Sequence, residues 1–426
     1  MSKKILLTTL PNDKCIKDWK APTYFEANKR GTNYAPSDYI PLGILSLASN
    51  LDTKKDEVII LDASGKGLTI DKTIERIEKE QPDILGISSN TMRVYALSEI
   101  LKKTTTPYKA VGGPHATNYA NLILKQGADG VFMGAVADFE FRDAVETNPR
   151  GIVNCRTKYS ETQFPDRTLV DYENYFPKKG VFFQAKNRLH LISSLGCPNK
   201  CVFCTAHEED MQRKTPSILV DEMQHLFSIG ARSIHFLDEN FNVDETHLGE
   251  ILDEKEKRGL EFELSGRGQV KMSRGLAKRL AENGFKRIHV GIEALDDEIL
   301  RFYNKASSVR QIYEFCEIME GAGIDILAHF VIGSPIETES YLQKLPNQIK
   351  ELGIKHPRFQ ILSPTPDTEY YQNLLKEGFY DRDYWGDYIK HPTPDFELPY
   401  PYSNKRLEEL KAYIKEIEEK YHIKNE

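Results

Sequence analysis

One pattern constrains this chain more than any other, and it occurs twice. Short apolar runs alternate with helix-like stretches over residues 1–150 and again over 187–375. In the first stretch Ile5-Leu6-Leu7, Val58-Ile59-Ile60-Leu61, Ile84-Leu85-Gly86-Ile87, Ala110-Val111 and Gly130-Val131-Phe132-Met133 read as strands. Helical patterns near 42–52, 70–80, 92–103 and 117–126 separate them. Strands separated by helices make βαβ units, and so a doubly wound parallel sheet covered on both faces. Ligands of such sheets bind beyond the carboxyl ends of the strands. The pattern therefore predicts a crevice lined by Leu10, Asp62, Ser88, Gly112, Gly113 and Gly134. Glycines there let a flat ligand approach the backbone, although Gly112-Gly113 also reads as a tight turn. No GxGxxG fingerprint is present, which argues against a nicotinamide dinucleotide.

Over 187–375 strands and helices alternate about six times, which predicts an α/β architecture of the partial (β/α)6 barrel type, with its chemistry at the carboxyl ends of the strands. Asp238, Glu239, Arg267, Glu293 and Ser334 fall at or near those ends. Ser217 and Ser273 stand where helix N-caps are expected, and Gly284 where a C-cap glycine is expected. Residues 151–186 lack a clear period, contain Pro165 and Pro177, and read as a linker. In the tail, 376–426, aromatics and prolines between Tyr380 and Tyr402 suggest a stiff flap. Leu407, Leu410, Ile414, Ile417 and Tyr421 then mark one apolar face of a C-terminal helix that docks on the barrel.

Composition removes several function classes. The net charge of −7 argues against a general nucleic-acid binder. No apolar run approaches the ~20 residues of a membrane span. Thr8 and Thr9 interrupt the first apolar run too soon for a signal peptide, so a cytoplasmic location is expected. Six cysteines in 426 residues are no disulfide scaffold, so their spacing carries the information. Three of them, Cys197, Cys201 and Cys204, form CxxxCxxC within Ser193–Cys204. Thiolates are soft ligands for zinc or iron–sulfur clusters. Zinc calls for a fourth ligand, which His207 could supply. A 4Fe–4S cluster on three cysteines instead leaves one iron open to a substrate or cofactor. Cys15, Cys155 and Cys316 are scattered and read as inert.

CxxxCxxC with an aromatic, Phe203, before its last cysteine resembles the signature of the radical S-adenosylmethionine (SAM) superfamily. The resemblance continues through 187–375. Ile234–Phe241 is similar to the second barrel strand with its acidic turn, and Leu264–Gly268 to the third. Ile288–Glu293 is similar to the fourth, whose Glu commonly contacts the SAM ribose. Phe330–Thr338 resembles the fifth with its Gly-Pro-Glu-Thr turn, with Ile336 in place of a second Gly. Phe359–Thr368 is similar to the sixth. Arg267 could bind the SAM carboxylate bidentately or pair with an acid inside the barrel. Ahead of the barrel, residues 40–52, Gln81–Ser88 and Val111–Thr117 resemble the subclass with an N-terminal cobalamin-binding domain of Rossmann-like type. Two departures stand out. Asp13–Asp18 has no histidine where many cobalamin proteins carry DxHxxG, and Gly134-Ala135-Val136-Ala137-Asp138 replaces the usual Gly-Glu-Gly-Glu turn.

The resemblance implies that Cys197, Cys201 and Cys204 hold a 4Fe–4S cluster. Phe203, Asp238, Glu239, Arg267, Glu293 and Ser334 would face SAM. Leu10, Ser88, Gly112, Gly113 and Gly134 would face cobalamin. The implied reaction is reductive cleavage of SAM, hydrogen abstraction by the 5′-deoxyadenosyl radical, and C-methylation of an unactivated carbon of a small-molecule substrate. A reducing partner such as flavodoxin or ferredoxin is implied, and neither nucleic acid nor a membrane span. The departures keep open a cyclase or rearrangement catalyst whose first domain has lost cobalamin or transfers no methyl group. A non-catalytic corrinoid or redox sensor is the distant alternative. A methylthiotransferase would normally need a second cysteine triad before residue 197, where only Cys15 and Cys155 lie.

Overall fold

The computed structural model describes residues 2–12, 39–176, 187–206 and 211–421, which divide into two units. In the first, strands β1 (Lys4–Thr9), β2 (Glu57–Leu61), β3 (Ile84–Ser88), β4 (Tyr108–Gly112), β5 (Gly130–Met133) and β6 (Gly151–Asn154) form one sheet in the order β2-β1-β3-β4-β5-β6. Every neighbouring pair is parallel. Helices α1 (Leu42–Ser49), α2 (Ile70–Glu80), α3 (Val94–Lys103), α4 (Pro114–Lys125) and α5 (Asp138–Thr147) connect them. β1 shows why its run is continuously apolar. Leu6 packs into a core cluster with Ile77, Leu97 and Ile123 of α2, α3 and α4. Its neighbours Ile5 and Leu7 pack oppositely, with Ile44 and Ala48 of α1 and Phe141 of α5. Both faces are covered, so alternate residues must all be apolar. The strand order reverses between β1 and β3, which sets the switch-point crevice of a doubly wound sheet there.

This unit runs past the expected boundary at 150. β6 pairs with β5 inside the stretch read as linker. Its residues alternate between half-buried and exposed, as on an edge strand, and the run is too short to stand out by periodicity. Beyond it, the backbone N–H of Asp166 bonds Ser49 Oγ at 2.8 Å. Asp383–Leu398 of the tail also belongs to this unit, with Gln126 Nε2 donating to Ile389 O at 3.3 Å.

The second unit holds a six-stranded parallel sheet built from β7 (Arg188–Leu191), β10 (Ser233–Phe236), β11 (Glu263–Gly268), β12 (Phe285–Glu293), β13 (Asp325–Ile332) and β14 (His356–Ile361). They lie side by side in chain order, with β7 and β14 as edges. This is the topology of the partial barrel. A two-residue antiparallel clasp, β8 (Ser194–Leu195) with β9 (Gln212–Arg213), closes the segment after β7. Helices α6 (Pro216–Ser228), α7 (Glu245–Lys257), α8 (Arg274–Glu282), α9 (Asp297–Phe302), α10 (Val309–Ala322), α11 (Glu339–Glu351) and α12 (Glu369–Lys376) follow the strands. α13 (Tyr384–Lys390) lies in the first unit, and α14 (Asn404–Lys420) returns to the second.

Local signals explain most helix ends. Ser273 Oγ accepts from Leu276 N at 3.2 Å, as its position predicts. Ser308 and Gln311 form a capping box at α10. Ser217 is not a cap: Pro216 takes the first helical position after Thr215. Proline's preset φ suits that position and its missing N–H costs nothing there, so the helix starts earlier. In α14 Leu407, Leu410, Ile414 and Ile417 are buried, as the spacing predicts. Each such side chain contributes about 1.5–3 kcal/mol by leaving water. Tyr413 and Tyr421 anchor the same helix to Leu342 O and Pro346 O of α11.

Candidate active site

The cysteine segment begins where β8 ends, and Gly196 turns the chain at φ 89°. Cys201 O accepts from Cys204 N at 3.0 Å, folding the last CxxC into a turn. Val202 between them is bolted to the barrel, its N–H to Tyr303 O at 3.1 Å and its carbonyl to Tyr370 N at 2.8 Å. Phe203 meets Tyr303 edge-on, ring centroids 5.4 Å apart. Its place before the last cysteine thus anchors the segment to the end of α9. The three thiols are partly exposed. Burial, followed by the neighbouring acid and thiols, pushes Cys201 up to about 11 against the opposing charge of Lys305. Burial also raises Cys204. Metal-free Cys201 and Cys204 are therefore protonated at neutral pH, and metal loading must release their protons.

Asp238, at the carboxyl end of β10, is fully enclosed. Oδ1 accepts from Ser193 Oγ at 2.5 Å, Ser194 N at 2.7 Å and Ser194 Oγ at 2.7 Å, and Oδ2 from Ser193 N at 2.9 Å. Burial raises its pKa and these bonds oppose the rise. Both oxygens are engaged, so Asp238 positions the segment leading into Cys197 rather than facing a ligand. Asp238→Ala strands two buried backbone N–H groups there. It is expected to lower cluster retention by about 10–100-fold, the usual cost of losing a group that orients a metal ligand, as read by iron content after anaerobic gel filtration.

Glu239 and Arg267 are half-exposed at the ends of β10 and β11, with Nη1 3.6 Å from Oε2. Glu293 ends β12 at φ 65°, a left-handed conformation uncommon outside glycine. It is buried and pairs at 3.0 Å with Lys305 Nζ. Burial opposes the charge on Lys305, but Glu293 and the nearby Cys201 thiol outweigh it and raise the pKa. Gly291 makes the room: a Cβ there would sit 2.2 Å from Glu293 Oε1. Ser334 is buried beside a cavity of about 630 Å³ whose lining includes Val202, Glu337, Tyr370, Tyr402 and Arg406. Sequence reasoning missed Lys305 and Asn240. Lys305 lies on no motif, and only the fold carries it to Glu293.

The donor set fits an iron–sulfur cluster. Among the described residues no group of three His, Cys, Asp or Glu side chains could hold a single metal ion. His207 lies outside the described residues. A four-iron cube places each thiolate on a different iron and needs no such convergence. Asn240 is buried with its Nδ2 4.0 Å from Cys197 Sγ, and its Oδ1 has no hydrogen-bond partner among the described residues.

In the first unit Ser88, Gly112 and Gly134 end or follow β3, β4 and β5, which are adjacent strands. Gly113 opens α4 at φ 95°, and a Cβ there would lie 2.6 Å from Ser89 O. Gly134, at φ 138°, donates its N–H to Thr117 Oγ1 at 3.2 Å. These four form a side-chain-poor ledge that fits a flat ligand such as a corrin. Leu10 does not join it: the side chain is fully buried in the core with Leu6 and Leu61. One residue past a strand end, the chain still follows the pleat, and an apolar side chain takes the inward direction. Asp62 accepts from Thr9 Oγ1 at 2.6 Å, from Gly65 N at 3.0 Å and from Tyr175 Oη. Burial and this carboxylate raise the Tyr175 pKa. The Asp13–Asp18 loop lies outside the described residues.

Comparison with known proteins agrees with both halves. Residues 191–349 match the family model of the radical SAM superfamily, and residues 31–140 that of the B12 binding domain. An uncharacterised methyltransferase of Pyrococcus horikoshii is 25% identical over 408 residues, covering 88% of this chain and 87% of the relative. An anaerobic magnesium-protoporphyrin IX monomethyl ester cyclase of Cereibacter sphaeroides is 23% identical over 351 residues, covering 74% of this chain and 56% of its own length. The radical SAM methyltransferase TsrM of Kitasatospora setae, solved with cobalamin and a [4Fe-4S] cluster, superposes with a TM-score of 0.63 at 17% identity. That match covers 88% of this chain and 75% of TsrM. The two family models together account for more than half of the 426 residues. Together with the cysteine segment and the strand-end ledge, they make the chain a member of the radical SAM superfamily with a B12 binding domain ahead of its radical SAM domain.

Proposed function

We propose that this protein is a cobalamin-dependent radical SAM methyltransferase that methylates an unactivated carbon of a small molecule. The carrying observation is that one chain pairs the three-cysteine segment with the glycine ledge of a B12 domain, each in its own α/β unit. When bound, the cluster and SAM supply a radical and cobalamin supplies a methyl group. The protein's part is placement. Cys197, Cys201 and Cys204 hold the cluster and leave one iron open. Asp238, through Ser193 and Ser194, sets the angle at which that segment leaves the barrel. Glu293, paired with Lys305, would accept hydrogen bonds from the hydroxyls of the SAM ribose, and Arg267 would offer its fork to the SAM carboxylate. Phe203 and Ser334 flank that ligand. Ser88, Gly112, Gly113 and Gly134 support the corrin. The domain division that goes with this reading is a B12 domain from the N-terminus, a radical SAM barrel, and a tail shared between the two units.

Among the described residues no helix is long and apolar enough to cross a membrane. Our reading adds a reducing cytoplasmic setting and a one-electron donor of flavodoxin or ferredoxin type. The second reading, a cyclase or rearrangement enzyme, is favoured by the Gly134–Asp138 turn and the similarity to the ester cyclase. Anaerobic purification with hydroxocobalamin, followed by iron, sulfide and cobalt analysis, separates the two. One cluster and about one cobalt per chain, with SAM cleaved under strong reduction, supports the methyltransferase. A cluster without cobalt overturns it in favour of the second reading.

A further inference from the structure

The second sheet carries its polarity in an unusual sense. On one face Leu189, Ile234, Phe236, Ile288, Val290, Ala328, Phe330 and Phe359 are buried, and helices such as α8 and α10 pack against their strands. The residues between them point to the other face. Barrel interiors are ordinarily filled by layers of branched apolar side chains. Here that face carries His190, His235, His289 and His329, together with Arg188, Arg267 and Arg358. Register confirms that they share it: His190 aligns with His235, Arg267 with His289, and His329 with Arg358. The four imidazoles form a continuous band across β7, β10, β12 and β13, successive ring centroids being 6.0, 4.8 and 6.3 Å apart.

The acids on this face are few and mostly matched. Asp325 is held by Arg287 at 2.8 Å and His356 at 3.1 Å, and Glu293 by Lys305. Glu239 stands 3.6 Å from Arg267, and Glu263 lies at the start of β11. Ser265 Oγ lies 2.9 Å from His235 Nδ1. Burial, then neighbouring imidazoles and arginines, depress His235 and His289 well below the ordinary histidine range. Burial, then Arg267 and Arg358, lower His329 to about 4. The face is thus a positive field lined with neutral N–H donors. Among the described residues, no three of these imidazoles and carboxylates are grouped as ligands of a single metal ion. Guanidinium forks and imidazoles in such a field recognise oxyanions.

We propose that this face seats the substrate of the reaction assigned above, and that the substrate carries a carboxylate or phosphate group held by Arg358 and the His289–His329 pair. The proposal rests on the radical SAM reading for the chemistry, but the binding can be tested apart from it. Citrate and pyrophosphate serve as probes for the two sources of oxyanion. Each is titrated calorimetrically into anaerobic, cluster-loaded protein saturated with S-adenosylhomocysteine, against sodium chloride of equal ionic strength. Saturable binding of one probe is expected, with the better probe naming the group. Arg358→Gln and His289→Gln are each expected to weaken it about tenfold or more, the usual loss for a charged hydrogen bond. In wild-type protein carrying 13C-labelled histidine, a subset of imidazole signals should shift with the same midpoint. That readout holds even where a variant fails to fold. Binding no tighter than the chloride control, imidazole signals that stay still, or unchanged affinity in both folded variants overturns the proposal. SAM cleavage assayed in parallel keeps the two readings apart. Cleavage without anion binding defeats only the substrate class, and anion binding without cleavage defeats only the assigned chemistry.

Discussion

Replacing Cys201 with alanine is expected to abolish the cluster while leaving the fold intact. Its thiol sits in the middle of the segment, and the backbone on both sides is held by bonds that do not use the sulfur: Val202 to Tyr303 and Tyr370, and Asn304 Nδ2 to Lys200 O at 2.6 Å. The loop should therefore keep its path and lose only the ligand. Two remaining thiols cannot hold the four-iron unit, so no open iron is presented. The absorbance of the reconstituted cluster should vanish, and SAM cleavage under strong reduction should fall by at least about a thousandfold, some 4 kcal/mol of barrier. Cys316→Ala is the control. That thiol is buried on α10, burial pushes it up to about 12, and it should load iron as the parent does. A Cys201→Ala protein that still holds a full cluster and cleaves SAM would remove the triad from the mechanism.

Lys305→Met should cost about as much in stability as Cys201→Ala costs in activity. Glu293 and Lys305 have side chains only 9% and 14% exposed, and each is the other's charge partner. Removing the cation leaves a buried carboxylate without its counter-charge, a loss of about 3–5 kcal/mol. Anaerobic urea denaturation of the metal-free protein measures it. Burial opposes the charge on Lys305 but Glu293 outweighs it and raises the lysine pKa, so the contribution of Lys305 is full at neutral pH and lost only as the pH rises through that raised value; the deficit should therefore hold at neutrality and shrink in alkali. The double variant Lys305→Met, Glu293→Leu should recover much of the stability, because two apolar side chains replace the pair. It should still fail to retain SAM, which is the readout that distinguishes a ligand contact from a structural pair. Equal stability of the single variant and the parent would show that water reaches Glu293.

Both predictions rest on residues that the chain reveals to different degrees. The cysteines are legible because ligand spacing is local: three thiols within eight positions need no fold to be recognised. The central strands of the first sheet are legible for a similar reason. A strand covered on both faces is apolar through its buried centre, as Ile5–Leu7 of β1 is, and α14 repeats its apolar residues at the helical period. These signals lie within one element and follow from backbone geometry alone. β6 carried no such signal, because an edge strand takes its identity from hydrogen bonds to β5 rather than from its own composition.

What the sequence by itself determined is therefore the two α/β units, the order of their strands along the chain, the metal-ligand triad and the apolar face of the last helix. Tertiary structure alone decided which polar side chain does what. Asp238 sits at a strand end like Glu293. Yet it turns to serines 45 and 44 residues earlier, while Glu293 meets a lysine 12 residues later. Leu10, read as lining the crevice, went into the core. Asp383–Leu398, read as a flap, joined the first unit. The histidine band exists only because parallel pairing of distant strands aligns His190 with His235 and brings the rings of His289 and His329 to 6.3 Å. The physical reason is the range of the forces. Backbone preference and apolar periodicity act within a few residues. Charge pairing, burial of polar groups and the sharing of one sheet face depend on which distant strands the chain has brought together.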